Sequence, residues 1–256
     1  MELSVIIPCF NEESTIREIV HRVKSSLTSL NITHEIIVID DKSTDKTKNI
    51  LETELSSSVD KIIVNTKNFG KGYSVKKGIE YAKGRFTIIQ DADLEYDPND
   101  YTKILKPLQN DVADVVYGSR FIGSNEKRVL YFWHSIGNKL LTTLSNMFSD
   151  LNLTDMEVGY KAFKTEILKN IKLKENRFGF EPEVTAKIAK LKLRIYEVGI
   201  SYYGRRYDEG KKITWKDGFS AIRCIIQYNI FKWRIEKTFM RNFFKITGNI
   251  NCSNQI

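Results

Sequence analysis

Asp91 and Asp93 stand two apart behind the apolar run Phe86-Thr87-Ile88-Ile89, with a third carboxylate at Glu95. Carboxylates that close repel one another unless a cation sits between them. Hard cations such as Mg2+ or Mn2+ accept such oxygens and commonly complete their shell with substrate phosphates. If the apolar run is a buried parallel strand, its end opens on the crevice where α/β proteins bind ligands. On an extended backbone the two aspartates face the same way. The plain alternative is a solvated acidic turn ahead of the helix that Asp97-Pro98 announces.

Other polar groups recur at similar places. Asn11-Glu12 follow the apolar run 3–7, Asp40-Asp41 close the run 35–39, and Gly118-Ser119-Arg120 end another. Strand C-termini of one parallel sheet share an edge, so these groups converge on one crevice. Helix capping accounts for any one of them, and for Asn11 it is the stronger reading. Together they match what a nucleotide site needs: a carboxylate such as Asp40 or Asp41 for ribose or base, and an acidic pair whose metal meets the diphosphate. Arg120 and Arg128 follow that crevice in sequence, and Arg205, Arg206, Lys211 and Lys212 form a second basic group with Gly204 and Gly210. Arginine suits phosphate because its planar fork of donors binds oxygens bidentately and stays charged.

The elements that must hold these groups are legible as a repeating pattern. Strands over 3–7, 35–39, 61–64, 86–89 and 113–117 alternate with helices, the first with Ile16, Ile19, Val20, Val23, Leu27 and Leu30 at helical spacing. Ser43 or Thr44 is expected to cap the second helix. Lys71, in the Gly70-Lys71-Gly72 loop, opens a helix that ends at Gly84. This alternation predicts an α/β fold with a mostly parallel, doubly wound sheet. Regularity then fades: helices are expected over 135–148, 181–191 and 217–231, and strands over 161–163 and 193–198. Residues 1–214 read as the main domain and 215–256 as a helical, basic and aromatic extension.

Composition bounds the rest. The chain has 256 residues, 41% hydrophobic and 28% charged, as a globular domain does. A formal charge of +8 suits an anionic partner. A non-catalytic nucleotide- or nucleic-acid-binding module is the alternative of another class; a crevice lined by carboxylates, which repels nucleic-acid phosphates, counts against it, and no nucleic-acid partner is expected. Cys9, Cys224 and Cys252 lack metal-ligand spacing, and their odd number favours a reducing compartment. With no basic leader and no long uncharged run, a cytoplasmic location is expected.

Val5-Ile6-Ile7-Pro8-Cys9-Phe10-Asn11-Glu12, Val38-Ile39-Asp40-Asp41-Lys42-Ser43, Asp91-Ala92-Asp93-Leu94 and Gly118-Ser119-Arg120 resemble glycosyltransferase family 2, most closely its dolichyl- and polyprenyl-phosphate mannose synthases, over roughly residues 3–210. The resemblance implies a GT-A fold and a nucleotide-sugar donor, carrying GDP or UDP. It implies Mg2+ or Mn2+ at Asp91 and Asp93, a third ligand at Glu95, and a nucleotide pocket of Pro8, Phe10, Glu12 and Asp41. Phe10 stands where the family usually has Tyr, and Glu95-Tyr96 departs from the synthases' usual continuation. Lys71 and Arg205 join the donor-binding set.

The acceptor decides the catalytic roles. A lipid phosphate attacks with its own negative oxygen, so Arg120, Arg128 and Arg205 would grip it and no base is needed. A glycan or glycolipid hydroxyl would need a base, and Asp155 in Thr154-Asp155-Met156-Glu157 is placed for that; its alternative role is to orient Lys161 or start a helix. Family analogues invert, giving a β-linked product from an α-linked donor. Aromatic and basic residues interleave over 228–245, which suits a segment lying on an anionic bilayer on its cytoplasmic face. Packing on the domain or on a second copy in a homo-oligomer is the alternative.

Overall fold

A computed structural model of the chain describes residues 1–123, 128, 129, 131–205 and 215–230, without the side chains of Trp215 and Lys216. β1 (Leu3–Cys9) is buried along its whole length. It carries no polar alternation because both faces of a parallel sheet are covered. β2 (His34–Asp40) and β4 (Phe86–Ile89) flank it in parallel, and β3 (Lys61–Val64) extends the sheet beyond β2. The crossovers are α1 (Ile16–Leu30), α2 (Thr47–Thr53) and α3 (Lys71–Tyr81). The apolar stripe of α1, Ile16, Ile19, Val20, Val23 and Leu27, is buried as its spacing requires.

After β4 a short 3-10 turn opens α4 (Tyr101–Gln109), with the Asp97 carboxylate accepting from Asn99 N at 2.9 Å. Then come β5 (Val115–Ser119), α5 (Phe132–Ser149), β6 (Lys161–Lys164), α6 (Thr165–Asn170), α7 (Phe180–Lys190), β7 (Ile195–Gly199) and α8 (Trp215–Ile230). The sheet order is β3-β2-β1-β4-β6-β5-β7, mostly parallel, with β6 antiparallel to both neighbours.

That reversed strand positions the site. Lys161, the first residue of β6, pairs with Ile89, the last of β4, and with Tyr117 near the end of β5. The segment feeding β6 therefore arrives at the C-terminal edge of the parallel strands, where ligands bind. β7 runs parallel to β5, and the chain beyond it crosses back over the 91–97 turn, with an isolated antiparallel bridge joining Tyr96 to Tyr202.

Local readings at three turns are corrected. Asn11 does not cap α1. Its φ is +51°, its side chain accepts from Thr44 N at 2.8 Å, and its N–H donates to Ser43 Oγ at 2.9 Å, so it ties the β1 loop to the β2 loop. Neither Ser43 nor Thr44 caps α2: Ser43 turns back to Asp40, while Asp45 accepts from Thr47 N at 2.9 Å. α3 stops at Tyr81, ahead of Gly84, whose N–H donates to Ser4 Oγ.

α8 packs against α5 and α7, burying Ala221, Cys224, Ile225 and Tyr228. The Tyr228 hydroxyl donates to Glu175 at 2.8 Å, so the first residue of the expected bilayer segment is a packed one. The rest of that segment beyond 230 lies outside the described residues. No described helix is long and apolar enough to cross a membrane.

Candidate active site

The strand ends open into a cavity of about 1070 Å³, the size of a substrate cleft. Pro8, Phe10, Glu12 and Asp41 line one part of it, followed by Lys71, Asp91, Asp93, Glu95 and Arg205. Glu157, Glu181, Arg120 and Arg177 line it further on, and Trp133, His134 and Gly137 of α5 reach it as well.

Asp40 is not among the lining residues. It is fully buried and accepts from Ser43 N–H and Oγ, and burial raises its pKa. It organises the β2 turn. Asp41 does reach the cavity, but its oxygens accept from Asn65 at 2.8 Å, Phe69 N at 3.0 Å and Gly70 N at 2.6 Å. The carboxylate thereby fixes the loop that opens α3. Gly70 has φ +102°, and a Cβ there would meet Asn176 O at 2.6 Å, so this loop sits hard against residues 175–177.

Asp91 and Asp93 lie beyond the strand itself. β4 ends at Ile89, and the two aspartates sit in a turn that Leu94 completes at φ +64°. Their charges are met separately. Lys71 Nζ lies 2.8 Å from Asp91 and 3.2 Å from Glu181. Burial opposes its charge, yet those two carboxylates lift its pKa above the usual lysine range. Gly159 permits this packing: a Cβ there would overlap Asp91 and stand 3.0 Å from Lys71 Nζ.

Arg205 reaches Asp93 at 3.1 Å, Glu12 at 3.4 Å and Glu95 at 3.9 Å. Its Nε is buried with no hydrogen-bond partner among the described residues. Burial, together with the charges of Asp91 and Glu95, pushes the Asp93 carboxyl up to about 7, against the pull of Arg205. Glu95 is drawn away from the aspartate pair. Its oxygens accept from Arg205 N at 2.8 Å and the Tyr202 hydroxyl at 3.0 Å, which straps the segment after β7 onto the turn.

Among the described residues no three His, Cys, Asp or Glu side chains gather as a metal-ligating cluster. The expected three-carboxylate set is thus not assembled. A crowded Asp91–Asp93 pair still fits a hard cation that takes one or two carboxylates and draws its other ligands from phosphate.

Of the expected arginine grip, Arg120 and Arg205 line the cavity and Arg128 does not. Arg120 is closed into a bidentate pair with the fully buried Asp155, Nε and Nη2 each donating at 2.6 Å. Its N–H donates to Asp155 at 3.1 Å, and Asn138 adds a contact at 3.2 Å. Asp155 is therefore neither a poised base nor the partner of Lys161, whose ammonium donates to Met156 O and Val158 O. Burial lowers the Lys161 pKa to about 8. Arg128 is exposed and lies outside the cavity lining; it donates to Gly204 O at 2.8 Å. Arg206, Lys211 and Lys212 lie outside the described residues.

Residues 4–172 match glycosyl transferase family 2. The chain belongs to that family. Among curated relatives, this family 2 chain is 29% identical to a dolichol-phosphate mannosyltransferase of Pyrococcus furiosus, over 92% of its own length and 65% of the relative's. It is also 29% identical to a dodecaprenyl-phosphate galacturonate synthase of Rhizobium johnstonii, over 82% and 62%. The chain thus spans less than two thirds of the length of both. Its fold is that of glucosyl-3-phosphoglycerate synthase from Mycobacterium tuberculosis, solved with Mn2+, uridine diphosphate and glucosyl-3-phosphoglycerate, with a TM-score of 0.68, 18% identity, and coverage of 89% and 80%. This is the expected GT-A architecture.

Four lining residues of the family 2 chain had no visible role in the sequence: Glu157, Gly159, Arg177 and Glu181. Glu181 stands in the first turn of α7, where an acidic residue is ordinarily read as complementing the helix dipole. Glu157 follows the more conspicuous Asp155. The antiparallel β6 brings Glu157 to the cavity, and α7 brings Glu181, where burial and then the Glu181 charge push the Glu157 pKa up to about 8.

Proposed function

We propose that the chain transfers a hexosyl group from a nucleoside diphosphate sugar to the phosphate of a polyprenyl or dolichyl lipid, with inversion. The observation that carries this reading is one continuous cavity running from charged strand ends to an exposed apolar helix. At one end Pro8 and Phe10 offer apolar surface to a nucleoside, and Glu12 offers an acceptor. At the other, α5 exposes Phe132, Ile136, Leu140 and Met147, and Trp133, 79% exposed, reaches the cavity itself. That helix face fits the hydrocarbon of the bilayer holding the acceptor, as an interfacial helix does. The relatives named for dolichol-phosphate and dodecaprenyl-phosphate products support the acceptor class and differ in the sugar.

The chemistry follows from the charges. An acceptor phosphate oxygen attacks the anomeric carbon, and the bond from that carbon to the donor's β-phosphate oxygen breaks. The electron pair stays with the departing nucleoside diphosphate. The acceptor is already anionic, so no general base is required, in keeping with an Asp155 locked by Arg120. Lys71 and Arg205 sit beside Asp91 and Asp93, where they can meet the charge that develops on the leaving group. Asp91 and Asp93 would hold a divalent cation, which would supply Lewis-acid neutralisation of the same charge. Arg177, exposed at the cavity rim, is placed to meet the incoming acceptor phosphate.

The test is turnover of labelled GDP-mannose and UDP-glucose with vesicles carrying a polyprenyl phosphate. Label should enter the organic phase as a lipid-phosphate sugar. Label passing only to a glycan or glycolipid hydroxyl would overturn the acceptor assignment.

A further inference from the structure

Two buried carboxyl oxygens on the cavity wall have no hydrogen-bond partner among the described residues. Glu181 is 4% exposed; its Oε1 meets Lys71, while its Oε2 is buried with no hydrogen-bond partner among the described residues. Glu157 Oε1 is orphaned in the same way, and both residues line the cavity. Buried acceptors left unmade are costly, so a site holding two of them is built for a ligand that brings donors.

Their position says which part of the donor that is. Lys71 Nζ bridges Glu181 to Asp91, so the pair lies immediately past the groups that face the diphosphate. The next portion of a nucleotide sugar is the sugar. Its hydroxyls both donate and accept, which suits the Glu181 carboxylate and the Glu157 carboxyl alike. The cations nearest the pair are already engaged, Lys71 with Asp91 and Glu181, Lys161 with two carbonyls and Arg120 with Asp155, while Arg177 lies exposed at the rim. Asp91, Asp155 and Glu181 already hold Lys71 and Arg120, so a further carboxylate on the ligand would have to compete with them for those cations.

We propose that Glu157 and Glu181 form a hydroxyl-reading subsite that admits a neutral hexose and rejects a uronic acid. This rests on the nucleotide-sugar reading above and goes beyond it by naming the sugar class. Selectivity of this kind arises because one ligand satisfies buried acceptors while the other adds an unpaired charge.

Titration calorimetry on the full chain tests it with two sets of probes: UDP, UDP-glucose and UDP-glucuronate, and GDP, GDP-mannose and GDP-mannuronate. In the set whose base is accepted, the neutral sugar should bind at least tenfold tighter than the uronate. Glu181→Gln should shrink that ratio at least fivefold and leave the bare nucleoside diphosphate within twofold. Glu157→Gln, which touches no lysine bond, should shrink it in the same direction and covers the case in which Glu181→Gln does not fold. Equal affinity for neutral sugar and uronate would overturn the subsite while leaving the donor reading standing. So would variants that weaken all three ligands alike, which would make Glu181 only a counter-ion for Lys71. Failure of every nucleoside diphosphate to bind the wild type would overturn both.

Discussion

Arg120 and Arg205 both meet carboxylates on the wall of one cavity, and they are built in opposite ways. Arg120 faces one fully buried aspartate in parallel 2.6 Å bonds, with its own N–H and Asn138 completing the arrangement. Arg205 spreads over Asp93, Glu12 and Glu95 at 3.1–3.9 Å, and its buried Nε is left without a partner among the described residues. Closed bidentate geometry satisfies both ions and commits Nε and Nη2 to one partner. Loose geometry around three acids leaves donors that a phosphate would satisfy better. The first pair joins the end of β5 to the segment that feeds β6, and so holds the cavity's shape. The second leaves a buried donor unused at the strand ends. An arginine count alone does not separate the two, since both are the same residue type at the same edge of the sheet.

The comparison breaks most visibly at Asp155. Asp155→Ala strands a buried guanidinium, so unfolding free energy should fall by about 3–5 kcal/mol in denaturant titrations. Replacing both partners with apolar residues should cost less than that. An Asp155→Ala protein as stable as wild type but inactive would return Asp155 to the catalytic machinery.

Asp93 lies on the other side of the contrast. Asp93→Asn should fold normally and lose transfer by about 100- to 1000-fold, read as kcat/KM, because it removes a carboxylate that would hold the cation facing the diphosphate. Chelation with EDTA should depress wild-type transfer, and Mn2+ or Mg2+ should restore it. Undiminished turnover under EDTA would remove the metal from the reading.

Arg205→Lys keeps the charge and loses the fork. One charge-assisted contact is worth about 1.5–3 kcal/mol, so nucleoside diphosphate affinity should drop roughly ten- to a hundredfold by calorimetry, with little change in the unfolding midpoint. A large loss of stability instead would make Arg205 a clamp like Arg120.

The smallest effect concerns pH. The Glu157 carboxyl is pushed up to about 8 from an ordinary 4.5, so the folded chain holds this proton more tightly than the unfolded one. The stability it contributes is full below its ordinary pKa and is lost as pH rises towards about 8. Glu157→Gln should flatten the fall in thermal midpoint across that window by a few degrees or less. Identical pH profiles for the two proteins would show that Glu157 is ionised in the fold.

How much was legible differs between the two halves of the sheet. β1, β2, β3 and β4 announce themselves as apolar runs because parallel strands are buried on both faces. Their ends place Glu12, Asp41, Asp91 and Asp93 at one cavity without further information. Strand-end position was also over-read. Asp40 and Asp41 are neighbours in a turn, and only the fold shows that the first bonds back to Ser43 while the second faces the cavity. Glu95 belongs to the same short acidic run and is drawn off by the strap through Tyr202 and Arg205.

The sequence by itself determined the α/β alternation, the sheet edge that carries chemistry, and the family. Each of these rests on residues close together in the chain, where period and run length set local structure. The tertiary structure alone decided which charges meet. Arg205 finds Asp93 across 112 positions, Arg120 finds Asp155 across 35, and Lys71 finds Asp91 across 20. The antiparallel insertion of β6 made the largest difference, because reversing one strand carries Glu157 and Gly159 to the sheet edge that a parallel strand would have pointed them away from. Electrostatic partnership falls off with distance in space and is indifferent to distance along the chain. Residue type and spacing therefore nominated the charged groups, and only packing could assign them to clamp, substrate site or surface.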